Sequence, residues 1–187
     1  MRHSISYNRT LNLEEFISKI EEHTKIFNDY FGDAWAYSGS CAVILYAMEY
    51  LPTELENLST PNDIDILIKS RQPISNRRID KYDTKIQSTL EKSVTYENST
   101  NKNSIDVTAI PNLKKIMING NPVLFLPTLL DYYEDELIVR EKDTPKITIL
   151  HQIIDIINAS TAEAERANRA EDDQRSDRFG GLSRSLF

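Results

Sequence analysis

The sequence predicts an α/β (α+β) protein in which helices flank a β-sheet. Strand-like runs rich in apolar and β-branched residues occur near residues 63–68, 94–97, 105–110, 116–118 and 123–125. Runs with apolar residues three or four apart, the helical period, precede and follow this region. With 187 residues, 40% of them hydrophobic, the chain is long enough to enclose one substantial core. We therefore expect one domain over residues 1–160.

The first predicted element is an amphipathic helix. Asn12 and Glu15 stand three residues apart, as in a capping box at a helix start. The apolar residues that follow recur at helical spacing and are Leu13, Phe16, Ile17, Ile20 and Phe27. We expect this helix to pack on the domain and to contribute to its core.

A turn of small residues then joins a short strand to an apolar helix. The segment runs from Ala34 to Tyr50, its turn contains Gly39 and Ser40, and its helix is almost wholly apolar and is ended by Pro52. The first turn of a helix offers unpaired N–H groups that favour a phosphate, and a glycine allows close approach. Ser40 adds a hydroxyl donor. The alternative is that Ser38 or Ser40 only caps the helix.

Two aspartates at the start of the next strand face the same side. In Asp63-Ile64-Asp65 alternate side chains share a face, which places the two carboxylates about 6–7 Å apart along the strand. Away from these acids both faces are apolar, which predicts a central strand covered on both sides by helices. Paired carboxylates suit magnesium, a hard ion that prefers oxygen ligands. The alternative is that Pro61-Asn62-Asp63 is only a turn and Asp65 a solvated strand end.

A third aspartate, Asp106, lies in the strand-like run from Ser104 to Ile110. Another strand is predicted at Val94–Glu97, and the polar loop between the two strands spans residues 98–103. Asn119-Gly120 predicts the turn of a second hairpin.

Two prolines mark the starts of the last helices. Pro127 and Pro145 occupy positions typical of a first helical turn. The last helix carries an apolar stripe made of Ile149, Leu150, Ile153, Ile154 and Ile157.

Together, Gly39-Ser40, the helix after it, Asp63-Ile64-Asp65 and Asp106 resemble the signature of the polymerase-beta-type nucleotidyltransferase superfamily. The resemblance covers about residues 34–110. It implies a nucleotidyltransferase fold, with a mixed β-sheet flanked by helices, and two Mg²⁺ or Mn²⁺ ions held by the three carboxylates. Gly39 and Ser40 would contact the triphosphate, Asp63 and Asp65 would ligate metal, and Asp106 would complete the site and help to deprotonate the acceptor hydroxyl.

Within that superfamily the chain is more similar to the compact AbiEii-like and antibiotic-modifying members than to template-directed polymerases. Many members of that type carry a lysine in the helix after the catalytic strands, and the stretch from Thr128 to Asp135 has none. The candidate replacements downstream are Arg140, Lys142 and Lys146.

The resemblance implies an enzyme that moves a nucleoside monophosphate from ATP or another nucleoside triphosphate to an acceptor hydroxyl and releases pyrophosphate. The acceptor stays open among RNA or tRNA, a small molecule and a protein. A formal charge of −7 and a pI near 5.0 argue against broad nonspecific adhesion to nucleic acid. The alternative is a catalytically inactive binding or assembly protein with the same fold.

A basic segment follows the acid-bearing strand. We expect a loop that leads into a helix through about Lys92. Its charge would guide a triphosphate or a tRNA acceptor end, although charge runs are commonly solvated faces. The basic residues are Lys69, Arg71, Arg77, Arg78, Lys81 and Lys85.

Cysteine and histidine usage excludes several site classes. The single cysteine, Cys41, and the scattered His3, His23 and His151 form neither a disulfide framework nor a zinc cluster. Cys41 at the head of an apolar helix is predicted to be a small core residue rather than a nucleophile. We expect His23 and His151 on helix surfaces.

The C-terminal region differs in composition from the rest of the chain. Residues 161–187 are charged and lack an apolar stripe, which predicts a flexible tail. Its ending, Leu186-Phe187, is a candidate contact for a protein partner. No apolar run in the sequence approaches the roughly 18 residues of a membrane span, and Met1–Ser4 lacks the apolar stretch of a secretory signal. These features favour a cytoplasmic protein without membrane contact.

Overall fold

The structure is a computed structural model that describes residues 11–61, 63–70, 79, 82, 84–87, 93–98, 104–135 and 140–180. The helices and strands follow in the order α1 (Leu13–Phe31), β1 (Trp35–Tyr37), α2 (Gly39–Tyr50), β2 (Asp63–Lys69), β3 (Thr84–Gln87), β4 (Ser93–Glu97), β5 (Ser104–Ile110), β6 (Lys115–Ile118), β7 (Asn121–Leu124), α3 (Leu126–Glu134) and α4 (Thr144–Gly180). Short 3₁₀ helices span Pro52–Asn57 and Glu141–Asp143.

The seven strands form one mixed sheet in the order β3-β4-β5-β2-β1-β7-β6. The acid-bearing β2 lies at its centre, parallel to β5 on one side and antiparallel to β1 on the other. β1 is also parallel to β7, and the remaining neighbours are antiparallel. The predicted mixed sheet with a central acid strand is confirmed.

Only one face of the central strands is fully buried. Burial alternates along β2 and β5, so that Ile64, Ile66, Ile105 and Val107 are buried while the aspartates on the opposite face are partly exposed. The buried residues share one hydrophobic core with residues of α1, α2, α3 and α4. The expectation of full cover on both faces of β2 was wrong, because Asp63, Asp65 and Leu67 on the second face are only partly buried.

α1 begins where the sequence predicts. The Asn12 side chain accepts a hydrogen bond from the Glu15 backbone N–H at 3.1 Å, which satisfies one of the unpaired donors of the first turn. Phe16, Ile20 and Phe27 are buried as expected.

Aromatic contacts join α1 to β1. The Phe27 ring lies edge-on to Trp35 at 5.0 Å and to Tyr37 at 6.1 Å between centroids. The Tyr37 hydroxyl donates to the carbonyl of Ile20 at 3.1 Å. These contacts position the strand that leads into the Gly39 turn.

The C-terminal elements also follow the predictions. Asn119 and Gly120 have φ values of 48° and 79°, as a two-residue hairpin turn requires. Pro127 and Pro145 are the second residues of α3 and α4. Ile149, Leu150 and Ile153 of the predicted stripe are buried.

Histidine placement was predicted correctly at one position and wrongly at another. His151 is exposed on α4, with Nε2 2.7 Å from Glu134 Oε1. His23 is buried, and its Nε2 lies 2.7 Å from the Tyr82 hydroxyl. The prediction of a surface position overlooked that His23 is three residues after Ile20 and four before Phe27, on the same buried face.

The basic segment after β2 does not lead into a helix at Thr84–Gln87, which form the edge strand β3 instead. Four ladder positions paired with β4 decide this conformation, and that pairing is not visible in the local sequence. Arg71, Arg77, Arg78 and Lys81 lie outside the described residues.

α4 continues without interruption to Gly180, and residues 161–169 are exposed along it. The division into a domain at 1–160 and a tail at 161–187 stays a prediction, and Leu186-Phe187 lies outside the described residues. Across the part of the chain that the structure describes, no helix has both the length and the apolar character needed to cross a membrane.

We predict that Phe27→Ala lowers the free energy of unfolding by about 3–5 kcal/mol, because Phe27 is 0% exposed and its removal leaves a cavity in the aromatic cluster. Urea denaturation measures the change. Met117→Ala is the control, since Met117 is 60% exposed and its loss should change stability by less than about 0.5 kcal/mol. Equal effects of the two substitutions would contradict the assigned core.

Candidate metal and nucleotide site

The sheet register brings three carboxylates together. Asp65 of β2 is directly opposite Asp106 of β5, and Asp63 lies two residues earlier on the same face of β2. One oxygen from each aspartate lies within 4.8 Å of the others. An all-carboxylate set of this kind offers the hard oxygen ligands that Mg²⁺ and Mn²⁺ prefer.

The Gly39 turn abuts these carboxylates. A Cβ atom at Gly39 would lie 2.0 Å from Asp65 Oδ2, and the φ of +55° is itself unfavourable for other residues. The backbone N–H of Ser38 donates to the Asp65 carbonyl at 2.9 Å. The turn and the acid strand are therefore fixed against each other, with the first turn of α2 beside the carboxylates.

The two serines of this turn differ in their contacts. Ser38 occupies the N-cap position of α2, as the alternative expected, but its side chain makes no capping hydrogen bond. The Ser40 hydroxyl forms a hydrogen bond with the Tyr133 hydroxyl. Burial raises the pKa of Tyr133, while this hydrogen bond acts in the opposite direction. Tyr133 thus links α3 to the start of α2.

The carboxylate cluster is electrostatically strained. Burial, and then the charges of Asp63 and Asp106, raise the pKa of Asp65 to about 7. The cations Lys146 and Arg140 act in the opposite direction without cancelling this effect. Because like charges close together disfavour ionisation, a bound divalent cation would stabilise the ionised cluster.

The orientation of Asp106 is fixed by a neighbouring strand. The Thr95 hydroxyl of β4 donates to Asp106 Oδ1 at 2.5 Å. One oxygen of Asp106 is thereby held by the protein, and the other remains for a metal or a proton.

Two cations beside the cluster are anchored by a buried acid. Asp143, 1% exposed, accepts hydrogen bonds from Arg140 Nε at 2.7 Å and from Lys146 Nζ at 3.1 Å. Burial opposes ionisation of Asp143, but these two partners lower its pKa. Lys146 Nζ also lies 5.5 Å from the centroid of the Tyr133 ring. Of the three predicted replacement cations, Lys142 is exposed on the short 3₁₀ helix.

A cavity of about 300 Å³ opens beside Gly39, Asp65 and Asp106. A larger cavity of about 540 Å³ lies between α1, α2 and the β6–β7 hairpin, away from the three aspartates. The smaller cavity is the candidate site, because it contains the chemistry that the larger one lacks.

Four residues of this site were missed by the sequence analysis: Thr95, Tyr132, Tyr133 and Asp143. In the spacing Arg140-x-x-Asp143-x-x-Lys146 each cation is three residues from the acid, close enough to contact it on helical structure. This spacing could have predicted the two ion pairs of Asp143. Thr95 had no such signal, because only the register of β4 against β5 brings it to Asp106. Cys41 is buried as predicted.

Comparison with known proteins supports the fold. No family model matches the sequence, and neither does any curated protein. The structure is similar to that of the Megavirus polyadenylate synthase, with a TM-score of 0.50 and 16% identity. The match covers 76% of this chain and 33% of the viral chain, so this chain spans about a third of the length of that protein. The predicted nucleotidyltransferase fold, a mixed sheet flanked by helices, is confirmed.

At this level of identity the similarity concerns the fold alone. It does not distinguish the AbiEii-like and antibiotic-modifying subtype from others, and the subtype stays a prediction. The roles of Gly39, Ser40, Asp63, Asp65 and Asp106 are likewise proposals, which rest on the geometry described above.

We predict that Gly39→Ala destabilises the protein by more than the roughly 1–3 kcal/mol that a left-handed backbone costs, since its methyl group would also displace the Asp65 carboxylate. Gly32→Ala is the matched control, because Gly32 has a similar φ of +59° but nothing within 4 Å of an added Cβ. Thermal melting of both variants measures the difference. A Gly39→Ala protein no less stable than Gly32→Ala would contradict the close approach.

Proposed function

We propose that this protein is a metal-dependent nucleotidyltransferase that transfers a nucleoside monophosphate from a nucleoside triphosphate to an acceptor hydroxyl. The convergence of Asp63, Asp65 and Asp106 beside the Gly39 turn is the observation that carries the proposal. Carboxylates for cations, a backbone turn for phosphate and flanking basic residues are the groups that such a transfer needs.

Asp63, Asp65 and Asp106 would hold divalent cations. When bound, these ions supply charge neutralisation for the attacking and leaving oxygens. The first turn of α2 begins at Gly39, against the Asp65 side chain, and its N–H groups would bind phosphate oxygens. Ser40 adds a hydroxyl once its hydrogen bond with Tyr133 is exchanged for one with phosphate.

Two basic residues near the carboxylates, Arg140 and Lys146, would interact with the leaving group. Arg140 and Lys146, oriented by Asp143, would neutralise the charge on pyrophosphate as it departs. Arg140 and Lys146 would then take the role of the helix lysine that the resemblance to compact nucleotidyltransferases leads us to expect. The buried acid keeps their side chains close to the cluster at little further entropic cost.

In the reaction the acceptor oxygen forms a bond to the α-phosphorus while the bond between that phosphorus and the pyrophosphate oxygen breaks. Asp106 would accept the proton from the acceptor hydroxyl at the oxygen not engaged by Thr95. The protein contributes mainly position and electrostatic stabilisation, with no covalent intermediate.

The acceptor remains a choice among RNA or tRNA, a small molecule and a protein. The solved structure with the similar fold is named a polyadenylate synthase, which favours testing RNA first. The net charge of −7 favours an acceptor bound locally over a long duplex.

We predict that Asp63→Asn abolishes transfer and leaves the melting temperature unchanged or higher, because the substitution removes one like charge from the cluster. Incubation of the purified protein with each labelled nucleoside triphosphate, Mg²⁺ or Mn²⁺ and a total cell lysate measures transfer. The lysate fraction that carries label identifies the acceptor class.

Asp155→Asn is the matched control for this assay, since Asp155 is exposed on α4 and far along the chain from the cluster. Its activity should equal that of the unaltered protein. Full activity in Asp63→Asn would exclude the assigned site, and nucleotide binding without any transfer would favour an inactive binding protein.

We also predict a pH-dependent stability effect at Asp65. Because folding raises the pKa of Asp65 to about 7, the metal-free protein should lose stability as pH rises from about 4 towards 8. At pH 8, Asp65→Asn should therefore melt at least about 2–4 °C higher than the unaltered protein, the shift that 1 kcal/mol produces at this size. At pH 4 the two proteins should melt at about the same temperature.

Calorimetric melting in the presence of a chelator measures this difference. Added Mn²⁺ should raise the melting temperature of the unaltered protein at pH 8 and have much less effect on Asp65→Asn. A constant difference between the two proteins from pH 4 to pH 8 would argue against the strained cluster.

A further inference from the structure

We infer that the cavity beside the carboxylates binds a nucleobase, which stacks on the side chain of Tyr132. This inference rests on the proposed function, because it assigns a binding place to the base of the nucleotide that the proposed reaction uses. The cavity is defined here as the base slot and is lined by Ser38, Gly39, Asp65, Ile66, Leu67, Asp106, Thr108, Ile110, Leu124, Thr128 and Tyr132.

The floor of the base slot continues the strand pair that carries the aspartates. After the directly opposed Asp65 and Asp106, the next two residues along each strand place Leu67 opposite Thr108 on the same face. These side chains are only partly buried, so the face is accessible beyond the carboxylates. The slot therefore starts at the reactive centre and runs along the sheet.

The wall of the base slot comes from α3. Thr128 and Tyr132 are four residues apart and lie on one face of the helix. Tyr132 is 51% exposed, and its ring is held edge-on against Tyr133 at 5.6 Å between centroids. A large aromatic ring left half exposed beside a cavity is a ready stacking surface.

The chemistry of the lining distinguishes between ligands. Apart from Asp65 and Asp106, the slot is lined by neutral residues, which are apolar residues, Gly39 and the hydroxyl-bearing Ser38, Thr108, Thr128 and Tyr132. Phosphate would require cations there, and a polycationic sugar would require more acids. A flat neutral ring with a polar edge fits an aromatic surface and a few hydroxyls.

The remaining groups of the site fix the direction of the nucleotide. Lys146 approaches the ring of Tyr133, whose hydroxyl bonds Ser40, so the cations and the start of α2 form one continuous phosphate side. With phosphates on that side and the transferred phosphorus at the carboxylates, the base slot is left for the nucleoside end. The base in the slot belongs either to the triphosphate or to a nucleotide acceptor.

Binding of ATP and of inorganic tripolyphosphate, each with Mn²⁺, tests the inference in the unaltered protein, Tyr132→Ala and Tyr132→Phe. If the base of the triphosphate occupies the slot, Tyr132→Ala should weaken ATP binding by roughly tenfold or more. Tripolyphosphate, which has no base, should bind all three proteins within about twofold. Tyr132→Phe keeps the ring and should bind ATP within about threefold of the unaltered protein.

A second arm identifies a base supplied by the acceptor. In that case Tyr132→Ala leaves ATP affinity unchanged and raises the KM for an oligoribonucleotide acceptor. Tyr132→Phe, which keeps the ring, should have the KM of the unaltered protein.

If Tyr132→Ala changes neither the ATP affinity nor this KM, or weakens the binding of ATP and of tripolyphosphate equally, the base slot is excluded while the proposed function stands. If the unaltered protein binds neither ATP nor tripolyphosphate, the proposed function fails and the base slot with it. Circular dichroism of each variant confirms that the exposed substitution leaves the fold intact.

Discussion

The convergence of three carboxylates on one sheet face is the constraint on which the other features of this site depend. The parallel pairing of β2 with β5 places Asp65 opposite Asp106, and partial burial, followed by the charges of Asp63 and Asp106, raises the pKa of Asp65 to about 7. The opposite face of the same strands is fully buried in the hydrophobic core. Core packing therefore fixes the register that brings the carboxylates together, and a bound cation would stabilise their ionised forms.

The elements around the three carboxylates hold their side chains in place and supply nearby cations. Gly39 lets the backbone approach Asp65 more closely than any side chain would allow, and Thr95 holds one oxygen of Asp106. Asp143 anchors Arg140 and Lys146 nearby, so that two cations stay close to the acids without neutralising them. The proposed phosphate-binding turn and the carboxylates therefore adjoin on one surface, and the cavity beside them continues along the sheet.

Several features of the site were accessible to sequence reasoning because they depend on local spacing. Alternation placed Asp63 and Asp65 on one face, and the Asn12 cap, the Asn119-Gly120 turn and the prolines of α3 and α4 marked element boundaries. The failures have a common origin. β3 forms through pairing with β4, and His23 is buried through its place on the packed face of α1. The second face of β2 is only partly covered, which depends on how distant elements pack against it.

The sequence by itself determined which residues are candidates for the chemistry: a glycine-serine turn, two aspartates two residues apart and a third in a later strand. Their periodicity also determined the side of each strand on which they lie, since side-chain direction alternates with every residue. Only the tertiary structure decided that Asp106 stands beside Asp65, that Asp143 gathers the cations and that Tyr132 borders a cavity. Those placements depend on strand register and on helix packing between distant segments, which are set by the whole core and not by neighbours in the chain.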